Sequence, residues 1–339
     1  MPVTRREISG RLVDPVDGVV CGVISVAADG AIGAVEQRAI APDELVFPGF
    51  IDLHVYETSQ LAKHGVTGYL ATCGTSRRGV VESFLASLPD DGECLGAHIE
   101  GPYLALGAAG AQRPLHIRPV DLGELAGWLE TGLVRMLTLA PELPGAIEAI
   151  EMIAAAGAVP ALGHTLAEPE LVQRAVAAGA RFATHLWNAA APLTARAPGP
   201  VGALLADSRL TLGLITDGRH LHPLSEELTV RLAGPERIAL TSDLVASSGA
   251  DGRLLGGDRC GAALTARMAR FGLQEAAGMA SLVPAGVLGL HDRGRLQRGF
   301  RADLAILDPT YRPLETIVAG ETVWSSRGGG VRRSRECAS

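Results

Sequence analysis

Eight short apolar strings recur between residues 46 and 243, with helical segments in several of the gaps between them. They are VFPGFIDLH (46–54), GYLAT (68–72), CLGAHIEG (94–101), VRMLTLAPE (134–142), VPALGHT (159–165), RFATHLWN (181–188), LTLGLITDG (210–218) and RIALTSD (237–243). Most are continuously apolar rather than alternating, the pattern of strands buried on both faces. Segments 77–88, 144–157 and 168–179 carry helical patterning, and the last two end in Gly157 and Gly179, which suit a left-handed helix terminus. Strands alternating with helices in this number predict an α/β chain built as a TIM (β/α)8 barrel.

The flanks read differently. Residues 1–46 and 297–326 hold short strand-like runs with turn glycines, so they are expected to form one small β domain from both ends of the chain. Residues 47–296 are then the barrel, and the tail 327–339 is expected to be disordered. A length of 339 residues accommodates this plan, because such a barrel takes about 250. Hydrophobic content of 47% and charged content of 20% fit a sizeable core. The net charge of −7 forms no block beyond a short basic tail, which gives nucleic-acid binding no electrostatic support. No run of 18 apolar residues is present and the N-terminus lacks a signal-like apolar core, so no membrane span or membrane partner is expected. Five scattered cysteines, Cys21, Cys73, Cys94, Cys260 and Cys337, fit a reduced cytoplasm.

Chemistry gathers at the ends of the strings. His54, Glu100, His164, His185, Asp217 and Asp243 close six of them, and in a TIM barrel the C-terminal strand ends converge on one rim. A single histidine closing an apolar strand is more often a hydrogen-bonded structural residue than a ligand. The joint occurrence reverses that, because a core has no reason to bring His, His, Glu and Asp to one rim. Two neutral imidazoles and a carboxylate suit a catalytic zinc site with an open position, and a further Asp would orient and deprotonate water.

At this point the chain resembles the N-acetylglucosamine-6-phosphate deacetylase family of the amidohydrolase superfamily. The resemblance rests on PGFIDLH (48–54), GVTGYLAT (65–72), GAHIEGPYL (96–104), LTLAPE (137–142), ALGHT (161–165), ATHLWNAAAPLTARAPGPVGALLAD (183–207), GLITDGRHLHP (213–223), LTSD (240–243), MASLVPAGVLGL (279–290) and GFRADLAILD (299–308). It implies a TIM barrel with a β-sandwich built from both termini. It further implies that Glu100, His164 and His185 hold one divalent metal per subunit, zinc foremost, with iron, cobalt or manganese also suited to such ligands. Asp243 becomes the catalytic acid and base; the bland alternative is a helix cap, which Asp often supplies. Asn188 and Ala189 would bind the sugar, and Arg196 and His220 the phosphate, some of these contacts coming from the second subunit of a homodimer. In a chain with one lysine among 30 basic residues, Arg196 also has a plain reading as a solvated loop residue. The implied activity is metal-dependent hydrolysis of the N-acetyl amide of an amino sugar phosphate.

Four departures from the family pattern stand out. The HxH pair of many relatives reads His54-Val55-Tyr56, so its second imidazole is missing and His54 is left to support the ligands or face substrate. Lys63, the one lysine, sits in a helix-like string after the first strand, which excludes a carboxylated-lysine bridge. The family's GAH reads Gly110-Ala111-Gln112, placing an amide where a substrate-contacting histidine is expected; it can donate a hydrogen bond but carry no positive charge. Three segments are also short: the glycine-rich loop after the first strand, the hairpin after Asp243, and the helix before MASLVPA. Two rivals follow: an amidohydrolase acting on another N-acyl sugar or small amide, and a catalytically silent barrel.

Overall fold

The protein, as a computed structural model, is described over residues 4–246 and 256–326. The tail 327–339 with Cys337, and most of the segment read as a missing hairpin after Asp243, lie outside the described residues.

Strands β1 (Thr4–Asp14), β2 (Gly18–Ala27), β3 (Ile32–Gln37) and β4 (Leu45–Pro48) open the chain. Eight barrel strands follow: β5 (Phe50–Val55), β6 (Val66–Cys73), β7 (Cys94–Glu100), β8 (Val134–Leu139), β9 (Val159–Leu162), β10 (Phe182–Ala183), β11 (Thr211–Leu214) and β12 (Ile238–Leu240). Between and after them come α1 (Arg78–Ala86), α2 (Leu122–Glu130), α3 (Ala146–Ala155), α4 (Pro169–Ala178), α5 (Gly199–Ala206), α6 (Pro223–Ala233), α7 (Ala262–Met268), α8 (Leu273–Ala277) and α9 (Val283–Val287). The chain then returns through β13 (Leu304–Leu307), β14 (Pro313–Val318) and β15 (Glu321–Ser325).

Strands β5 to β12 pair in sequence order, every neighbouring pair parallel. The two ends of this sheet meet just beyond the strands. Asp243 N donates to His54 O at 2.8 Å, Tyr56 N donates to Leu244 O at 3.0 Å, and Asp52 Oδ1 accepts from Ser242 N at 3.2 Å. All eight residues of β6 are buried, which is why its sequence shows no alternation. Inside the barrel, Ile51, Leu53, Leu70, Met136, Phe182 and Ala239 form one cluster. Outside it, Tyr69 and Leu139 pack under Val81 and Leu85 of α1, Trp128 of α2, Ile150 and Ile153 of α3, and Val172 of α4. Gly157 and Gly179, just past α3 and α4, both take positive φ, at 76° and 127°.

The terminal strands form a second sheet, ordered β15-β14-β13-β4-β1-β2-β3 and antiparallel except for the β1–β4 pair. It curls over on itself: Arg6 of β1 pairs with Glu315 of β14 at 2.7 Å and donates to Thr322 of β15 at 2.8 Å. Ile8, Leu12, Ile24, Val46, Leu304 and Ile317 fill the space enclosed. The string 46–54 is two strands, not one. It divides at Gly49, where the backbone passes from the small sheet to the barrel and a Cβ would stand 2.1 Å from Thr67 Oγ1. Asp14 ties β1 to the segment between α9 and β13 by accepting from Leu296 N at 2.7 Å and Arg295 at 3.0 Å.

Candidate active site

Glu100 ends β7 and His54 lies within β5, but the other rim residues lie beyond their strands. Strands β9, β10 and β12 stop at Leu162, Ala183 and Leu240, and His164, His185 and Asp243 follow with φ of 51°, 29° and 50°. Side chains with a Cβ resist positive φ, at a cost of about 1–3 kcal/mol each, so neighbouring bonds must hold these turns. Ala105 N donates to His164 O at 3.0 Å, Asn188 N donates to His185 O at 2.9 Å, and Asp243 N is held by His54 O as above. Trp187 and Ala189 also take positive φ, 80° and 49°, so the HLWNA segment is the most strained part of the rim.

The side chains converge. Nε2 of His164 and Nε2 of His185 lie 3.0 and 2.9 Å from the same oxygen, Glu100 Oε1. His54 Nε2 stands 3.5 Å from Glu100 Oε2 and 3.4 Å from Asp243 Oδ1. All five side chains are buried. His164 Nδ1 meets Ala108 O at 2.9 Å; a carbonyl only accepts, so Nδ1 carries a proton and Nε2 is the nitrogen turned to the cluster, the orientation of a metal-ligating imidazole. His98, by contrast, spends both ring nitrogens on Leu53 O and Thr138 Oγ1 at 2.9 and 2.7 Å and has none to offer.

Electrostatics make the cluster short of positive charge. Burial drives His185 down to about 4, so it is a neutral ligand type. Burial also opposes a charge on His54, but the carboxylates of Glu100 and Asp243 overcome it and raise His54 to about 9. Asp243 is lifted to about 7, first by burial, with His54 opposing and Glu100 adding to the rise. Two buried carboxylates therefore need a proton on His54 or a cation beside them. The donor set passes the test for a divalent ion. One ligand atom each from His54, Glu100 and His185 lie within 4.8 Å of one another, His164 joins through the shared oxygen, and both ring nitrogens of His54 and Nδ1 of His185 are buried without a hydrogen-bond partner.

A cleft of about 290 Å³ opens over the cluster. Ala111, Gln112, Asn188, Ala189 and His220 line it, together with Tyr56, Gly110 and Arg219. His220 gives Nδ1 to Asp217 at 2.8 Å, so Nε2 is its remaining group. Asp217 thus serves as the holder of His220, and its carboxyl, opposed by burial, is kept at about 2 by bonds from the His220 side chain and from His220 N and Arg219 N. Asn188 spends its amide N–H on His185 O at 3.2 Å, which leaves its oxygen available. Gln112 lines the cleft, but its amide is committed inward: Oε1 accepts from Thr75 N at 2.8 Å, while Nε2 donates to Tyr56 at 3.1 Å and to Glu100 Oε2.

Arg196 stands apart. It lies in the exposed run 192–198 and does not line the cleft of its own chain. Sequence reasoning missed Tyr56 as a site residue, although it occupies the lost HxH position. It also missed Arg219, which sits beside His220 in the quoted GLITDGRHLHP string.

A parallel barrel with imidazoles and carboxylates gathered at the strand ends defines a class: a scaffold whose rim offers the ligands for a cation and a carboxyl beside them. Comparison with known proteins places it further. The amidohydrolase family model matches residues 45–323. An N-acetylgalactosamine-6-phosphate deacetylase of Shewanella sp. (strain ANA-3) is 30% identical, the match covering 91% of each chain. The N-acetylglucosamine-6-phosphate deacetylase of Bos taurus is 32% identical over 85% of this chain and 87% of its own. The crystal structure of N-acetylglucosamine-6-phosphate deacetylase from Thermotoga maritima superposes with a TM-score of 0.88 at 28% identity, covering 95% of this chain and 100% of that one. A Mycobacterium smegmatis variant in complex with N-acetyl-D-glucosamine-6-phosphate gives 0.85 at 28% identity, covering 94% and 99%. This chain belongs to the amidohydrolase family.

Proposed function

We propose that the protein hydrolyses the N-acetyl amide of an N-acetylhexosamine 6-phosphate, releasing acetate and the amino sugar phosphate. The observation that carries this reading is the meeting of His164 and His185 on Glu100 Oε1, with Asp243 across His54 and His220 held at the edge of the same cleft. The similar deacetylases act on gluco and galacto sugars, and the reading extends to either epimer.

Glu100, His164 and His185 would hold one divalent ion, with His54 beside them. Zinc suits this His, His, carboxylate set. A bound divalent ion supplies Lewis acidity, lowering the pKa of water and polarising an amide carbonyl. The protein's own groups do the rest. Asp243 accepts a proton from the attacking water and returns it to the amide nitrogen as the C–N bond breaks, and its raised pKa suits both transfers near neutral pH. His220, fixed by Asp217, presents Nε2 for the phosphate, and Arg219, paired through Nη1 with Asp258 at 2.7 Å, presents its other N–H groups. Arg196, exposed and outside the cleft of its own chain, would add its guanidinium from a second copy in a homodimer. No helix among the described residues is long and apolar enough to cross a membrane.

The test is acetate release by the metal-loaded full chain from N-acetylglucosamine and N-acetylgalactosamine, each with and without the 6-phosphate. Turnover of the phosphorylated sugars well above the free ones is expected. Equal rates would remove the phosphate from this reading, and no turnover of any of the four would remove the reading itself.

A further inference from the structure

A second cleft, of about 630 Å³, opens beside the first, and Tyr56, Ala111 and Gln112 stand in the walls of both. Arg77, Arg113 and His116 line it, and among the described residues no acidic side chain does. In a chain of net charge −7 that is a local reversal of sign. Nearby arginines are engaged: Arg78 pairs with Glu82 at 2.7 Å and Arg118 with Glu124 at 2.6 Å. Arg77, Arg113 and His116 have no side-chain partner among the described residues.

The walls are tied together. Thr75 N donates to Gln112 Oε1 at 2.8 Å, and Arg118 Nη1 donates to Ser76 O at 2.7 Å, clamping the turn after β6 to the segment that carries Arg113 and His116. The opening has a cause in the sequence: only ETSQLAKHG lies between Tyr56 and β6, so the connection after β5 contributes no long loop on this side of the cluster.

We propose that this cleft is a substrate subsite for an anionic group on the acyl side of the reacting amide, namely an N-acyl chain that ends in a carboxylate. The inference rests on the amide-hydrolysing reading above. Were the sugar phosphate to sit over Asn188, Arg219 and His220 and the amide over Glu100 and Asp243, the wall left for the acyl group would be Tyr56, Ala111 and Gln112, which the two clefts share. Beyond those residues lies the second cleft with the guanidiniums of Arg77 and Arg113, unpaired among the described residues, whose planar donor forks match a carboxylate. The bond changes are those of simple hydrolysis. Water oxygen bonds to the acyl carbon, the C–N bond breaks, and the proton taken by Asp243 passes to the leaving nitrogen. The products are the amino sugar phosphate and a dicarboxylate.

The metal-loaded full chain is assayed on one hexosamine 6-phosphate bearing three N-acyl groups: acetyl, succinyl, and the succinyl chain capped as its neutral amide. The expected result is a kcat/KM about tenfold higher for succinyl than for its neutral amide, the scale of charge-assisted bonds at a solvent-open site. In an Arg77→Ala/Arg113→Ala variant that ratio is expected to fall to near one. Turnover of the acetyl compound without any preference for the carboxylate overturns the subsite and leaves the deacetylase reading standing. No turnover of all three removes both. If Arg77→Ala/Arg113→Ala raises KM for the acetyl compound as much as for the succinyl compound, the proposal is also overturned, because the arginines would then be holding the phosphate.

Discussion

The phenol of Tyr56 donates to Glu100 Oε2, the oxygen that His164 and His185 do not use. Gln112 donates to the same atom. Two neutral donors thus occupy the side of the carboxylate that would be needed to bridge a second ion, and the lost HxH imidazole is the sequence cause.

The metal content follows from this. Elemental analysis of the purified chain is expected to give one tightly held divalent ion per subunit, and Tyr56→Phe should not raise that number. His185→Ala should lose the ion, because it leaves a single imidazole on Glu100 Oε1. Two tight ions in the native chain, or full retention in the His185 variant, would contradict the assignment.

Asp243→Asn keeps the shape of the side chain and removes its basicity. A fall in kcat of at least about 10²-fold is expected, the ordinary size of a lost general acid–base. Metal content should stay near native, since Asp243 is outside the set that meets at Glu100 Oε1. A near-native kcat would mean that another group carries the proton.

Arg196 lies in an exposed run and does not line the cleft of its own chain. Arg196→Ala is expected to raise KM for a 6-phosphate substrate by about one to two decades, the worth of a charge-assisted bidentate contact, with little change for the free sugar. Mixing Arg196→Ala and Asp243→Asn chains should restore activity, because one site in the mixed dimer would pair a native Asp243 with a native Arg196. Absence of complementation in a verified mixed dimer would count against the cross-subunit role.

Asp14 gives a stability prediction independent of catalysis. Burial pushes its pKa up, but bonds from Asp17 N, Val16 N, Arg295 and Leu296 N outweigh that and hold it below 3.8. A carboxyl with a depressed folded pKa contributes stability that is complete above its unfolded value and is lost as pH falls through the folded one. Asp14→Asn should therefore cost about 1–3 kcal/mol at pH 7, and the gap to the native chain should shrink below pH 3.8. Urea midpoints of both chains at pH 7 and pH 3 measure it, and a gap that does not change with pH would argue against the bonded carboxylate as its source.

By itself the sequence determined the barrel and the identity of the rim residues. Continuous apolar runs such as β6 report burial on both faces, and burial is a property that each segment expresses locally. His54, Glu100, His164, His185 and Asp243 were legible because each closes such a run. The tertiary structure alone decided how those groups are used. Nothing local shows that β9, β10 and β12 stop early and that His164, His185 and Asp243 turn through positive φ to face one another. The break at Gly49 depends on Thr67 of a neighbouring strand. Gln112, read as a substrate contact, turns inward to Glu100 and Thr75, and Tyr56, read only as a missing ligand, takes the same carboxylate. Asp217, one of six polar strand ends, holds His220 rather than joining the cluster. Each of these is a choice of hydrogen-bond partner among groups far apart in the chain. Periodicity encodes which side of a segment is buried, whereas a polar group's partner is set by where folding brings the other chain segments.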